Sequence, residues 1–216
     1  MVKEKIHRAY RVSRYIVYKE TLFDLRENFW TFLGAFLGIG IIGFVQSFSF
    51  SVSENIFLIG SFGASSVLIY AEIRSPLAQP RNLIGGHVIS AFIGVTIAKF
   101  IPDILWLKGA LAVSLSIIAM QHTKTLHPPG GATALIAAVT GTEKIKSLGY
   151  MFVIFPVFTG VIILLVIALV VNNMTSHRKY PNEGRFSRRF KWFIAPIRQK
   201  SEIIKHKRKK ILRLKN

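Results

Sequence analysis

Residues 148–171 read LGYMFVIFPVFTGVIILLVIALVV, and this stretch decides the class of protein. It contains no charged side chain, and it exceeds the roughly 20 residues that a helix needs to cross the hydrocarbon core of a bilayer. Backbone N–H and C=O groups have no water to bond in that core, so a spanning segment of this kind is helical. The stretch therefore predicts a transmembrane helix.

Five more apolar segments precede it, so the sequence predicts an all-α, polytopic helical membrane protein with six apolar segments. The second and fifth are short for a full crossing, which leaves open whether they are discontinuous or re-entrant. In chain order the six are Phe29–Phe50, Ile56–Ala71, Leu83–Ile101, Ile104–Met120, Pro128–Thr142 and Leu148–Val171.

The two short segments occupy the same place in each half of the chain and share a pattern. Residues 63–65 (Gly-Ala-Ser) match residues 131–133 (Gly-Ala-Thr). Short segments interrupted by glycine or proline at corresponding positions are typical of transporters with inverted repeats and a midplane binding site. The alternative is that these triplets only let helices pack closely. A 3+3 inverted repeat is therefore a hypothesis.

Positive charge is concentrated at the two ends of the chain. Of 29 lysines and arginines, 22 lie in residues 1–28 or 174–216, and the formal net charge is +19. We therefore divide the chain into a basic amphipathic segment at 1–28, a transmembrane domain at 29–173 and a basic tail at 174–216. Because basic flanks stay on the cytoplasmic side, we expect both termini in the cytoplasm and the protein in the cell membrane. The number of crossings is then even, and four and six both remain open.

The basic ends predict contact with anionic lipid headgroups. Ile6, Tyr10, Ser13 and Val17 share one face of a helix amid lysines and arginines, as in interfacial amphipathic helices. Residues 185–216 alternate basic clusters with Phe, Trp and Ile, and each basic residue near an anionic membrane gains about 1 kcal/mol. The adjacent bilayer makes lipid a simpler partner than nucleic acid, which we do not expect to bind. Homo-oligomer formation stays open. The basic region is also too long for a cleaved signal peptide.

Residues 126–133, LHPPGGAT, place a polar, proline-started turn against an apolar run. Proline fits the first turn of a helix because its missing N–H would have no partner there. Gly130 and Gly131 then leave backbone N–H groups uncovered at the positive end of the helix dipole, which suits an anion. His127 and Thr133 add side-chain hydrogen bonds. The alternative is an ordinary helix start, with glycine serving close packing.

Residues 75–87, SPLAQPRNLIGGH, form a second polar motif. The Arg81 guanidinium suits a planar oxyanion, and His87 enters the third segment as an ionisable group inside the membrane. Arg81 as an interfacial anchor is the alternative. The second segment supplies the matching half-site, so nine residues are predicted to bind the substrate. They are His127, Gly130, Gly131, Thr133, Gly63, Ser65, Ser66, Arg81 and His87.

The distribution of carboxylates favours an anion as the substrate. Glu54, Glu72, Asp103 and Glu143 all lie at segment edges, whereas proton pumps and cation channels usually need buried or ring-forming carboxylates. The chain also has no cysteine, no HExxH, no Walker loop and no G-x-S-x-G. We therefore expect no enzyme activity, no catalytic residue, no metal and no cofactor.

Three motifs occur in order: GSFGASSVLIYAEIRSPLAQPRNLIGGHVISA at 60–91, HPPGGATALIAAV at 127–139 and NNMTSHRKYP at 172–181. Together they resemble the HPP family of integral membrane proteins, named for the triplet at 127–129, over Phe29 to Pro181. The family is commonly described with four membrane spans, and some plastid and cyanobacterial-type members are linked to nitrite transport. The resemblance therefore implies a transporter of nitrite or a related small anion.

These expectations combine into one function hypothesis and two alternatives. The first is membrane transport of a small anion, with a nitrite-like oxyanion as the leading candidate, through a site formed by the helix N-termini of segments two and five. The runner-up is a non-transporting membrane scaffold that binds anionic lipid. An intramembrane hydrolase that uses Ser61, Ser65 or Ser66 near a histidine comes third, because isolated serines in membrane helices more often bond the backbone.

Overall fold

The computed structural model describes residues 24–139, 143–175 and 177–182. The amphipathic helix expected around Tyr10 and the basic tail after Asn182 lie outside the described residues. The described part is built of helices: α1 (Leu25–Ser47), α2 (Val52–Ser66), α3 (Pro80–Phe100), α4 (Leu105–His122), α5 (Pro128–Val139), α6 (Glu143–Leu148) and α7 (Thr159–Val171). Pi-helical turns extend α2 over Val67–Ala71 and precede α7 over Val153–Phe158, and a 3-10 turn spans Pro76–Ala78.

Four helical stretches are long and apolar enough to cross a membrane: Leu25–Ser47, Pro80–Phe100, Leu105–His122 and Val153–Val171. They correspond to the first, third, fourth and sixth apolar segments, so the all-helical, multi-pass class is confirmed. The stretches Ile59–Ala71 and Pro128–Val139 are shorter apolar helices. At 12 residues, α5 extends about 18 Å, well short of a hydrocarbon core about 30 Å thick.

Two helix boundaries differ from the expected segments for local reasons. Helix α2 begins at Val52, four residues before the expected start, because Ser51 and Glu54 form a capping box. The sixth segment is interrupted at Phe155, whose backbone is extended (φ −130°, ψ 120°) just before Pro156. Proline disfavours helical geometry in the residue before it, so regular α-helix resumes only at Thr159.

One end of the bundle holds both ends of the described chain, and we call it the terminal end. Arg178 bonds Glu27 at the start of α1 at 2.6 Å, and it also bonds the Tyr70 carbonyl at the end of the α2 extension. The start of α3 lies there too, because the Asn182 N–H donates to the side-chain oxygen of Gln79, the residue before α3, at 2.7 Å. The opposite end holds Lys99 at the end of α3, whose side chain lies against Gly149, and we call it the lysine end.

Helix α1 buries small residues and exposes large ones, the reverse of a helix in a soluble protein. Its buried stripe repeats every four residues and includes Gly34 and Gly38, whereas Phe32 and Phe36 are 65% and 63% exposed. Tyr70 fills the notch, since a Cβ on Gly34 would lie 2.4 Å from its ring. An apolar outer face suits lipid, and the glycine pair lets the Tyr70 side chain pack closely against α1.

Candidate functional site

Four buried polar side chains from three parts of the chain form one hydrogen-bonded network. Ser65 Oγ lies 2.7 Å from His87 Nε2 and 2.9 Å from His127 Nε2. His87 Nδ1 lies 2.7 Å from Thr133 Oγ1, and His127 Nδ1 lies 2.9 Å from the Leu77 carbonyl oxygen. Ser65, His87 and His127 are fully buried and Thr133 is 2% exposed. We call Ser65, His87, His127 and Thr133 the histidine network.

The local structure explains how these side chains meet. Ser65 lies in the last turn of α2, and His87 lies two turns into α3. His127 directly precedes Pro128, which starts α5 as proline at a first helical position does. Thr133 follows one turn later on the buried face of α5. Ser65 and Thr133 are the third residues of the two matched triplets, and they bond opposite nitrogens of His87.

With both rings neutral, the partners determine which nitrogen carries each proton. The Leu77 carbonyl only accepts, so His127 carries its proton on Nδ1, and its Nε2 accepts from the Ser65 hydroxyl. Ser65 has no second proton, so His87 donates to it from Nε2. His87 Nδ1 then accepts from the Thr133 hydroxyl. Every donor points the same way along a chain from Thr133 to Leu77.

The network can also hold one additional proton without losing a hydrogen bond. Ser65 Oγ lies 3.2 Å from the Ser61 carbonyl, and Thr133 Oγ1 lies 3.4 Å from the Pro129 carbonyl. If His127 gains a proton on Nε2, it donates to Ser65, and Ser65 redirects its own proton to Ser61. Each hydroxyl thus has an alternative acceptor one helical turn earlier. The geometry therefore suits reversible protonation of the histidine pair.

Among the described residues, no group of three histidine, cysteine or carboxylate side chains comes together that could hold a metal ion. The side chains bonded to the two rings are hydroxyls, and the remaining partner is a backbone carbonyl. A protonated pair would therefore carry a positive charge that its hydrogen-bond partners do not neutralise. Such a charge within a helical membrane core favours a nearby anion.

Glycines at the α3–α5 contact serve close approach. A Cβ on Gly86 would lie 2.4 Å from the His127 Cβ, and a Cβ on Gly130 would lie 2.9 Å from the Gly86 carbonyl oxygen. The Gly130 N–H donates to the His127 carbonyl at 2.8 Å. By contrast, a Cβ on Gly131 would meet only Val113, at 3.8 Å, and one on Gly63 would meet nothing within 4 Å.

The structure corrects the expected helix N-terminus in segment two. Because α2 begins at Val52, Gly63, Ser65 and Ser66 lie near its C-terminal end, far from the first turn, where the N–H groups of a helix are free. The Ser66 hydroxyl donates to the Phe62 carbonyl of its own helix at 3.0 Å. Ser65 is therefore the residue of this set that faces the histidines.

Arg81 lies outside the network. Its guanidinium is exposed and donates to the Thr123 carbonyl at 2.7 Å. Together with the Asn82 amide on the Leu126 carbonyl, it holds the loop that carries His127 against the start of α3. Its predicted contribution to substrate binding stays a prediction.

Two members of the site were not identified from the sequence, namely the carbonyls of Leu77 and Ser61. Backbone acceptors carry no residue signature, but Pro76 and Pro80 on either side of Leu77 indicate a turn rather than a helix. A turn of this kind leaves carbonyls without partners within a helix, and Leu77 uses one to orient His127.

The comparisons with known proteins agree with this architecture. Residues 20–181 match the family described as HPP, transmembrane region. Two proteins of Dictyostelium discoideum, whose names say only that they are transmembrane proteins, are 44% and 46% identical to the chain over 161 residues. These matches cover 73% of this chain and 51% and 56% of the relatives, so the chain spans about half the length of each. No solved structure matches significantly. The chain belongs to the HPP transmembrane family.

Proposed function

We propose that this member of the HPP transmembrane family transports a small monovalent oxyanion across the membrane together with a proton, nitrite being the leading candidate. The observation that supports it most is the buried pair of histidines bridged by Ser65. A neutral pair offers one continuous chain of hydrogen bonds, and a protonated pair offers positive charge and N–H donors to an anion. In this proposal, anion and proton enter and leave the network together.

The energetic argument concerns net charge. Burying an anion alone in a membrane core is costly, and so is burying an imidazolium alone. An anion beside a protonated histidine pair has no net charge, so both costs fall. His87 and His127 would donate to the anion through their Nε2 atoms, Ser65 would add a hydroxyl donor, and Thr133 would keep its hydroxyl on His87 Nδ1.

The other predicted binding residues have supporting roles in this proposal. Gly130 lets α5 approach α3, which brings His127 to His87. Gly63 leaves open space beside its helix, and Gly131 leaves only ordinary contact with Val113. Ser66 and Arg81 bond backbone carbonyls, and Arg81 adds positive charge at the terminal end.

The test is uptake by liposomes that contain the purified full chain. Nitrite uptake is measured at neutral to mildly alkaline pH, which suppresses leakage of neutral nitrous acid, with the outside more acidic than the lumen. Nitrate is the second probe because its neutral acid is negligible at these pH values. We expect saturable uptake of at least one of the two ions, faster with the proton gradient and reduced by a protonophore.

Ser65→Ala is the decisive variant, and we expect it to slow uptake at least tenfold. Its control is Ser116→Ala, since Ser116 is also a buried serine, and within the described part of the chain its hydroxyl bonds the Val113 carbonyl of its own helix. Equal uptake by the two variants would reject the network as the site. Uptake indifferent to the pH gradient would reject proton coupling. No uptake of nitrite, nitrate or formate above empty liposomes would favour the scaffold alternative.

A further inference from the structure

A second polar site lies at the lysine end of the bundle. A cavity of about 230 Å³ opens between the end of α3, the start of α4 and the end of α5. The charged residues that line it are Lys99, Lys108, Lys146 and Asp103. Three ammonium groups against one carboxylate leave a formal charge of +2 among these described lining side chains.

Lys108 is the buried member of this cluster. Its side chain is only 9% exposed, and its Nζ lies 2.9 Å from Asp103 Oδ1, whose side chain is 82% exposed. Lys108 also stands near the start of α4, where the helix dipole disfavours a cation, and the N-cap residue Ile104 makes no side-chain capping bond. The Asp103 carboxylate, and not the helix dipole, therefore stabilises this buried ammonium group.

The Lys99 side chain lines the same cavity and lies close to Tyr150 and Gly149. Its Nζ lies 5.4 Å from the centre of the Tyr150 ring, within the range of a cation–π contact. A Cβ on Gly149 would lie 3.4 Å from that Nζ, and Gly149 has a φ of +49°, which suits glycine. The absence of a side chain at Gly149, directly after α6, thus allows the Lys99 ammonium group to lie close to the backbone there.

Asp103 acts as an internal competitor for the ammonium groups. Hydrogen bonding to Lys108 holds the pKa of Asp103 below its usual range, and the charges of Lys108 and Lys146 act in the same direction. The carboxylate is therefore ionised at neutral pH and occupies one ammonium group of the cavity. An anion that enters must share Lys108 with it.

The cavity lies close to the histidine network. Val95 in its wall is two turns beyond His87 on α3, about 12 Å, and Ala137 is one turn beyond Thr133 on α5, about 6 Å. Between them lies Ser90, which is fully buried and whose hydroxyl has no hydrogen-bond partner among the described residues. The helices are in contact here, since a Cβ on Gly94 would lie 2.4 Å from the Ala134 carbonyl oxygen.

We infer that this cavity is a binding site for small inorganic anions, at which the transported ion is captured before it reaches the network. Capture at this site rests on the proposed function, whereas anion binding by the lysines does not. The same chemistry would attract the phosphate of a lipid headgroup. The experiment therefore separates a dissolved anion from a lipid.

Binding is measured on the purified chain in a lipid-free zwitterionic detergent, through the rise in Tm with sodium nitrite against sodium gluconate at constant ionic strength. We expect a saturable rise for the wild type. Lys99→Gln combined with Lys146→Gln should raise the half-saturating nitrite concentration at least tenfold. Lys179→Gln, which removes an exposed lysine at the terminal end, should leave it unchanged.

Asp103→Asn distinguishes a binding site from a structural ion-pair cluster. Removing the competing carboxylate should lower the half-saturating concentration several-fold, a gain that no loss of structure would produce. Weaker binding in Asp103→Asn, or equal binding in the double lysine variant, would overturn the inference. A lipid phosphate would be the occupant if the Tm rose only after phosphatidylglycerol was added and if this rise depended on Lys99 and Lys146. That result would also overturn the inference.

Transport and binding can fail separately. Lysine-dependent binding without any uptake would reject the transport function and leave the anion site standing. In a transporting protein, the double lysine variant should raise the KM for nitrite and preserve the maximal rate, whereas Ser65→Ala should lower the maximal rate. Uptake with an unchanged KM in the lysine variant would reject capture at this cavity.

Discussion

Thr133 illustrates how little freedom a single residue has in the histidine network. Its hydroxyl is the donor that starts the chain of hydrogen bonds, and His87 Nδ1 accepts from it at 2.7 Å. If His87 moved its proton to Nδ1, its Nε2 would compete with His127 for the one proton of Ser65. The number of donors is therefore matched to the number of acceptors.

Thr133→Val keeps the shape of the side chain and removes this donor. One buried acceptor is then left without a partner whichever tautomer His87 adopts, and we expect a loss of about 1–3 kcal/mol in the free energy of unfolding. Thr133→Ser retains the hydroxyl and should lose less. Thermal unfolding of both variants in detergent compares them directly. Equal losses would show that the methyl group, and not the hydroxyl, stabilises this position.

At the scale of elements, the contact between α3 and α5 brings the network together. Gly86 admits the His127 side chain, and Gly94 admits the backbone of α5 at Ala134, directly after Thr133. The histidine that precedes a short helix is thereby placed against a histidine in the interior of a long one. Small residues at such a contact are a general device of membrane helices, which gain stability from close backbone approach.

The neighbouring glycines of α5 provide a matched test of that contact. A Cβ on Gly130 would lie 2.9 Å from the Gly86 carbonyl oxygen and 3.0 Å from Met120 Sδ, whereas a Cβ on Gly131 would have ordinary contact with Val113. We expect Gly130→Ala to lower the free energy of unfolding by about 1–3 kcal/mol through overpacking. Gly131→Ala should be neutral or stabilising, because alanine favours helix. The measurement is thermal unfolding monitored by circular dichroism, and a reversed order would contradict the packing.

For the whole molecule, the sequence allows the helices to be located better than the sites. A long apolar run with few charges has few alternatives to a spanning helix, so the sequence allows the four long helices to be located. Each member of the histidine network can be recognised in the sequence as a polar residue in apolar surroundings. Their hydrogen bonding to one another could not be predicted. Ser65 is 22 and 62 residues from the two histidines it bonds, and the rotation of each helix decides which faces meet. The lysine cavity was missed because lysines at segment ends also serve as interfacial anchors.

Arg178 links distant parts of the molecule at the terminal end. Its guanidinium, whose side chain is 1% exposed, bonds Glu27 of α1, the Tyr70 carbonyl and Asn172 after α7. Removing one partner of a buried ion pair costs about 3–5 kcal/mol. The Glu27 side chain is 39% exposed and can be rehydrated, so we expect Arg178→Gln to lose about 2–3 kcal/mol. Lys179→Gln should change stability little, because Lys179 is exposed.

The bonds of Arg178 go to Glu27, Tyr70 and Asn172, which lie outside the histidine network. Uptake per folded molecule, measured well below the lowered Tm, should therefore match the wild type. A variant that keeps its Tm but loses uptake would show instead that the terminal end takes part in transport.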